Sequence, residues 1–93
     1  MKHIVLFKLK ENSEETQNKV ASILRKMNPE TVPMVHSLNV YLDFLHSERS
    51  FDLMLEVDLP AEQLSNYAND PFHCDIKKEF APFVEKTITI DYK

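Results

Sequence analysis

None of the 93 residues is glycine, and that absence removes more possibilities than any motif adds. Loops that cradle phosphate need glycine where the backbone must approach a ligand or take positive φ, so P-loop and dinucleotide-binding fingerprints are excluded. The net charge is −4, and eleven Lys and Arg are scattered among fifteen acids. That leaves no basic field for a phosphate backbone, so no nucleic-acid partner is expected. The single cysteine, Cys74, rules out an intrachain disulfide and fits a reducing interior. The N-terminal stretch MKHIVLFK has only four consecutive apolar residues before Lys8, too few for a signal peptide or a membrane span. A cytoplasmic protein with no membrane partner is expected. A chain this short buries about two thirds of the surface its unfolded form exposes, so its core is modest and pairing with a second copy would add useful burial.

Hydrophobic periodicity supplies the element order. MKHIVLFKLK reads as a strand with His3, Val5, Phe7 and Leu9 on one face and Ile4, Leu6 and Lys8 on the other. Both faces are largely apolar, which predicts a central strand. Ser13 can cap a helix whose first turn holds Glu14 and Glu15; Thr16, Val20, Ile23, Leu24 and Met27 follow at helical spacing until Asn28-Pro29 stops it. After Pro33, MVHSLNVYLD alternates Met34, His36, Leu38, Val40 and Leu42 against Val35, Ser37, Asn39, Tyr41 and Asp43, a half-buried strand. Beyond the polar link HSERS, SFDLMLEVDL turns Phe51, Leu53, Leu55, Val57 and Leu59 inward and Asp52, Met54, Glu56 and Asp58 outward. The two strands predict an antiparallel hairpin. Pro60 opens a helix through Leu64, Tyr67 and Ala68, and Pro71 sets its boundary near Asp70. A second short helix carries Phe72, Ile76, Phe80 and Phe83, breaks at Pro82, and leads into a last strand, EKTITIDYK.

The order β-α-β-β-α-α-β describes an α+β, ferredoxin-like domain over residues 1–93: a four-stranded antiparallel sheet with helices on one face. Ile4, Leu6 and alternate residues of the later strands would leave the other face apolar and wet, so a second sheet from another copy is expected to cover it.

The stretch YANDPFHCD, residues 67–75, holds the candidate chemistry. Asp70-Pro71 resembles an N-cap and first helical residue, placing His73 in the first turn, where amide dipoles disfavour imidazolium. Asp70 acts in the opposite direction, which leaves the net sign open. A neutral His73 can serve as general base, and the Tyr67 phenol can donate to a carbonyl oxygen. The alternative is packing alone, with Tyr67 against the sheet and His73 a partly buried helix-start residue. His3 shares a strand face with Val5 and Phe7, so it points beneath Tyr67 if that face meets the helices; otherwise it is a strand-end surface residue. Cys74 follows His73 directly, about 100° around a helix, so the two form no thiol-imidazole dyad. His73, Cys74 and Asp75 lack the spacing that gathers ligands on one face, and no metal is expected. Glu14, Glu15, Glu48, Arg49, Lys77, Lys78 and Glu79 read as solvated faces.

Four stretches carry a family resemblance: Lys2-His3-Ile4-Val5-Leu6-Phe7-Lys8, His46 to Leu55, Leu64 to His73, and Ile88 to Tyr92. By their order and spacing the chain resembles the stress-responsive A/B barrel family over nearly its whole length. The resemblance implies a dimeric α+β barrel, with two four-stranded sheets facing each other across a homodimer, helices outside, and a dimer-contact role for His46-Ser47-Glu48-Arg49-Ser50. Most such relatives have no assigned reaction, whereas plant polyketide cyclases of this fold use a tyrosine and a histidine for an aldol-type ring closure. Those residues map onto Tyr67 and His73, and another pocket histidine onto His3. Asp70 stands where a histidine is often found and Tyr41 where a glycine is common, and the first helix turns aliphatic Val20, Ile23 and Leu24 inward rather than aromatics. The cyclases' substrate is therefore not implied.

The expectation is a homodimer with a small apolar pocket fringed by His3, Tyr67 and His73 and lined by Val5, Phe7, Val20 and Leu24. It would bind a small, mainly apolar molecule with a carbonyl or phenolic group and need no cofactor. As an enzyme it would use His73 as base, Tyr67 as donor and His3 as orienting partner. A non-catalytic stress or assembly protein, whose function is dimerisation, is the alternative class, and a cofactor-free monooxygenase-like barrel is a third.

Overall fold

The computed structural model describes residues 1–93. Its strands are β1 (Lys2–Leu9), β2 (Ser37–Leu42), β3 (Leu53–Asp58) and β4 (Val84–Tyr92); its helices are α1 (Glu14–Leu24), α2 (Leu64–Ala68) and α3 (Pro71–Phe80). Short 3₁₀ turns at Ala61–Gln63 and Ala81–Phe83 lead into α2 and β4. The sheet order is β2-β3-β1-β4 and every pair is antiparallel. This is the expected ferredoxin-like fold, with β1 in the interior of the sheet as its two apolar faces require.

The register sorts the side chains. His3 pairs with Val57 and Asp91, Val5 with Leu55 and Thr89, and Phe7 with Leu53 and Thr87. Facing pairs share a side, so these residues lie on the helix-covered face. There Phe7, Leu9, Val40, Leu53, Leu55 and Val57 meet Val20, Ala21, Ile23 and Leu24 of α1 and Ile76 of α3 in one buried cluster. The opposite face carries Ile4 and Leu6, their partners Ile90, Ile88 and Met54, and Tyr41 beside Met54. No helix covers that side. Ile90 is 62% exposed, and Ile88 and Tyr92 each 49%.

Local chemistry sets the helix ends. Ser13 Oγ accepts from Thr16 N at 3.1 Å, capping α1. The helix stops at Leu24, four residues before Asn28: Lys26 N bonds Ile23 O and Met27 N bonds Leu24 O, tightening the last turn and tucking Met27 into the core beyond the helix. Asn28 Oδ1 then accepts from Glu30 N and Thr31 N, fixing the turn. β2 begins at Ser37 rather than Met34, because Val35 N bonds Val32 O in a turn that buries Val35.

Asp52 corrects the expected alternation. It is wholly buried, not outward. Past the last β1–β3 pair, Phe7 with Leu53, the backbone ladder ends and Leu9 N donates to Asp52 Oδ2 at 2.8 Å, while Asp52 N donates to Phe7 O. Lys8 Nζ lies 3.9 Å from the other carboxylate oxygen. His46, in the loop from β2 to β3, is the one residue with positive φ, at 53°. Asp43 Oδ2 accepts from its N at 2.7 Å and holds it there.

Candidate functional site

Tyr67 lies on α2 and is 1% exposed. The chain then turns at Asp70, whose side chain accepts from His73 N at 2.9 Å and caps α3, while Pro71 occupies the first helical position, where no N–H is needed. The reversal stacks the His73 ring on Tyr67, centroids 4.1 Å apart and planes at 23°. His73 Nδ1 is 2.9 Å from the Tyr67 backbone carbonyl. A carbonyl only accepts, so Nδ1 carries the proton and the neutral ring keeps its lone pair on Nε2.

From β1, His3 meets Tyr67 edge-on at 5.6 Å and 70°. Its Nδ1 bonds the Asp91 carboxylate directly across on β4. Asp91, His3, Tyr67 and His73 therefore form a continuous row from the edge strand to α3. Asp91 escaped the sequence reading because its role depends on the β1–β4 register, which sets it opposite His3.

Burial pushes the Tyr67 phenol far above its ordinary value, and the charge of Asp70 adds to the shift. Burial likewise holds His73 below the usual imidazole value; Lys77 and His3 act in the same sense, against the Tyr67 carbonyl and Asp70. Desolvation thus decides the sign that helix dipole and Asp70 left open. The Tyr67 hydroxyl is buried and has no hydrogen-bond partner.

A cavity of about 450 Å³ lies against this row. His3, Tyr67 and His73 all line it, together with Val5 and Phe7 of β1, Leu55 of β3, Leu24 and Met27 at the end of α1, and Leu64 and Phe80. Val20, expected in the lining, is not part of it. One turn before Leu24, it is wholly buried in the core, away from the end of α1 under which the cavity opens. Lys77, read from sequence as a solvated residue, borders the cavity one helical turn after His73. Exposed Lys77, Thr87 and Thr89 mark its mouth, between α3 and the edge strand β4. Tyr67 is part of the lining, while its hydroxyl is buried without a partner.

Cys74 Sγ is 3.7 Å from the Ala68 carbonyl and takes no part in the row. No three His, Cys, Asp or Glu side chains gather as a metal-ligand set, and no helix is long and apolar enough to cross a membrane.

No curated protein matches the chain in sequence. Among solved structures, a dimeric protein of unknown function with a ferredoxin-like fold from Bacteroides fragilis is 25% identical, with a TM-score of 0.82 over 99% of this chain and 93% of that one. A Dabb family protein from Mesorhizobium loti is 21% identical, with a TM-score of 0.76 over 99% of this chain and 93% of that one. The hydroxynitrile lyase from Passiflora edulis is 18% identical, with a TM-score of 0.78 over 98% of this chain and 89% of that one. The family model for the stress-responsive A/B barrel domain matches residues 1–93, the whole of the chain, and the chain belongs to that family.

Proposed function

We propose that two copies pair through their open sheet faces, and that each subunit binds a small, mainly apolar molecule with a carbonyl or phenolic oxygen in the cavity beside Tyr67. The observation that carries this reading is a tyrosine at the wall of an apolar cavity whose hydroxyl is buried and unpartnered and whose ring stacks on an imidazole with its Nδ1 already committed. A buried polar group without a partner costs about 1–3 kcal/mol and is retained where something else uses it. In the bound state the Tyr67–His73 stack opens enough for the hydroxyl to donate to the ligand oxygen. His73 Nε2 accepts a proton from the ligand, and His3, anchored by Asp91, keeps the phenol in place. No cofactor enters these steps. That one structural neighbour is a hydroxynitrile lyase indicates that the fold can host an enzyme; at 18% identity it lends this chain no substrate.

A thermal-shift screen of small ketones, phenols and aryl aldehydes tests the reading. A ligand at about 100 times its Kd adds roughly 2.7 kcal/mol to stability, and that gain should shrink in Tyr67→Phe and in His73→Ala. Stabilisation indifferent to both substitutions would count against this pocket.

A second reading, in which dimerisation alone is the function, is favoured by the apolar open face of Ile4, Leu6, Ile88 and Ile90. It predicts that no compound in the screen binds, while variants of that face lose function.

A further inference from the structure

We propose that the ligand is an amphipathic monocarboxylate, its apolar part inside the cavity and its carboxylate at the mouth, held by Lys77 with the hydroxyls of Thr87 and Thr89. The inference rests on the pocket reading above and names the ligand's class.

Three observations carry it. The lining includes one basic side chain other than histidine, Lys77, and no Asp or Glu, in a chain whose net charge is −4. A cation placed alone at an apolar cavity, in a protein that is acidic overall, selects for a single negative charge. The nearby acids are already engaged: Asp91 accepts from His3 Nδ1, Asp70 caps α3, and Glu79 pairs with Lys26 at 2.6 Å. Lys77 enters none of the ion pairs in the chain. Finally, Thr87 and Thr89 line the same cavity from the helix-facing side of β4, so two neutral hydroxyl side chains border the space that Lys77 also borders. One cation and two neutral hydroxyls match a carboxylate better than a dianionic phosphate, for which the mouth offers no second cation and no backbone nest. The cavity's 450 Å³ lies toward the small end of ligand sites, which span about 300–1,000 Å³.

The test compares 4-phenylbutanoate with 4-phenylbutanamide, which share a body and differ in charge, by isothermal titration against the whole chain. Wild type should bind the acid about tenfold more tightly than the amide, the effect of one charge-assisted contact. Lys77→Met should reduce that preference to about twofold or less, Lys77→Arg should keep it, and Lys78→Met, on the same helix but outside the lining, should leave it unchanged. Raising salt to about 1 M, where the Debye length is about 3 Å, should weaken the acid and spare the amide. Circular dichroism of Lys77→Met confirms that the exposed substitution leaves the fold intact. Equal affinity for acid and amide in wild type overturns this inference and leaves the pocket standing; binding of neither overturns both.

Discussion

At Tyr67 the packing and the polarity disagree. The residue is buried at the cavity wall, while its hydroxyl is out of contact with water and has no hydrogen-bond partner. Replacing it with phenylalanine keeps the ring and removes the orphan, so Tyr67→Phe should raise stability by about 1 kcal/mol in urea denaturation even as ligand response falls. A variant clearly less stable than wild type would show that the hydroxyl is bonded after all. His73 sets a pH dependence. Burial depresses its folded value below the ordinary 6.5, so the folded chain holds fewer protons than the unfolded chain between the two values. Its stabilising share is complete above 6.5 and declines as pH falls toward the folded value. Melting temperature should therefore drop between about pH 7 and pH 5, and His73→Gln should flatten that part of the slope; an unchanged slope would assign it elsewhere. Tyr67 and His73 were legible because the Asp70-Pro71 seam is a local signal that fixes both within one turn. Asp91 and Lys77 were not. One needs the pairing of β1 with β4, and the other needs to know which side of α3 borders a void; neither is written in a window of neighbouring residues.

Among the elements, β1 and β3 are joined by more than their backbone ladder. Asp52 extends the join past the last paired residues by accepting from Leu9 N, with Lys8 within reach of its second oxygen. Asp52→Ala leaves a buried N–H unsatisfied and should cost about 1–3 kcal/mol, measured as a lower urea midpoint at unchanged slope. A loss of a few tenths would mean that Leu9 N finds another acceptor. Period-two reading placed Asp52 outward because it continued the alternation of Leu53, Leu55 and Val57 backwards by one residue, across the point where the strand ends. Strand interiors were readable for the same reason that strand ends were not: alternation reports the pleat, and the pleat stops without a sequence mark. Helix starts fared better, since Ser13 and Asp70 each cap with a side-chain oxygen on the backbone N–H three residues later.

Across the whole molecule the imbalance is between the two sides of one sheet. Helices cover the side of Val5 and Phe7; the side of Ile4, Leu6, Ile88 and Ile90 has none. The apolar second face of β1, with alternate residues of the later strands, was visible in the sequence; the pairing of Ile4 with Ile90 and Leu6 with Ile88 sets β4's share beside β1. If a second copy covers this face, Ile90→Lys should place a charge in the interface and shift sedimentation velocity from dimer to monomer at micromolar concentration. A wild-type chain that sediments as a compact monomer would remove the pairing altogether. The glycine-free backbone bears on the other side of the folding equilibrium. All its turns are made at negative φ except at His46, so no position draws on the extra freedom that glycine would give the denatured chain. The unfolded ensemble is correspondingly narrower, and less entropy is lost on folding; a 93-residue chain with a modest core starts from a denatured state already restricted in its choices.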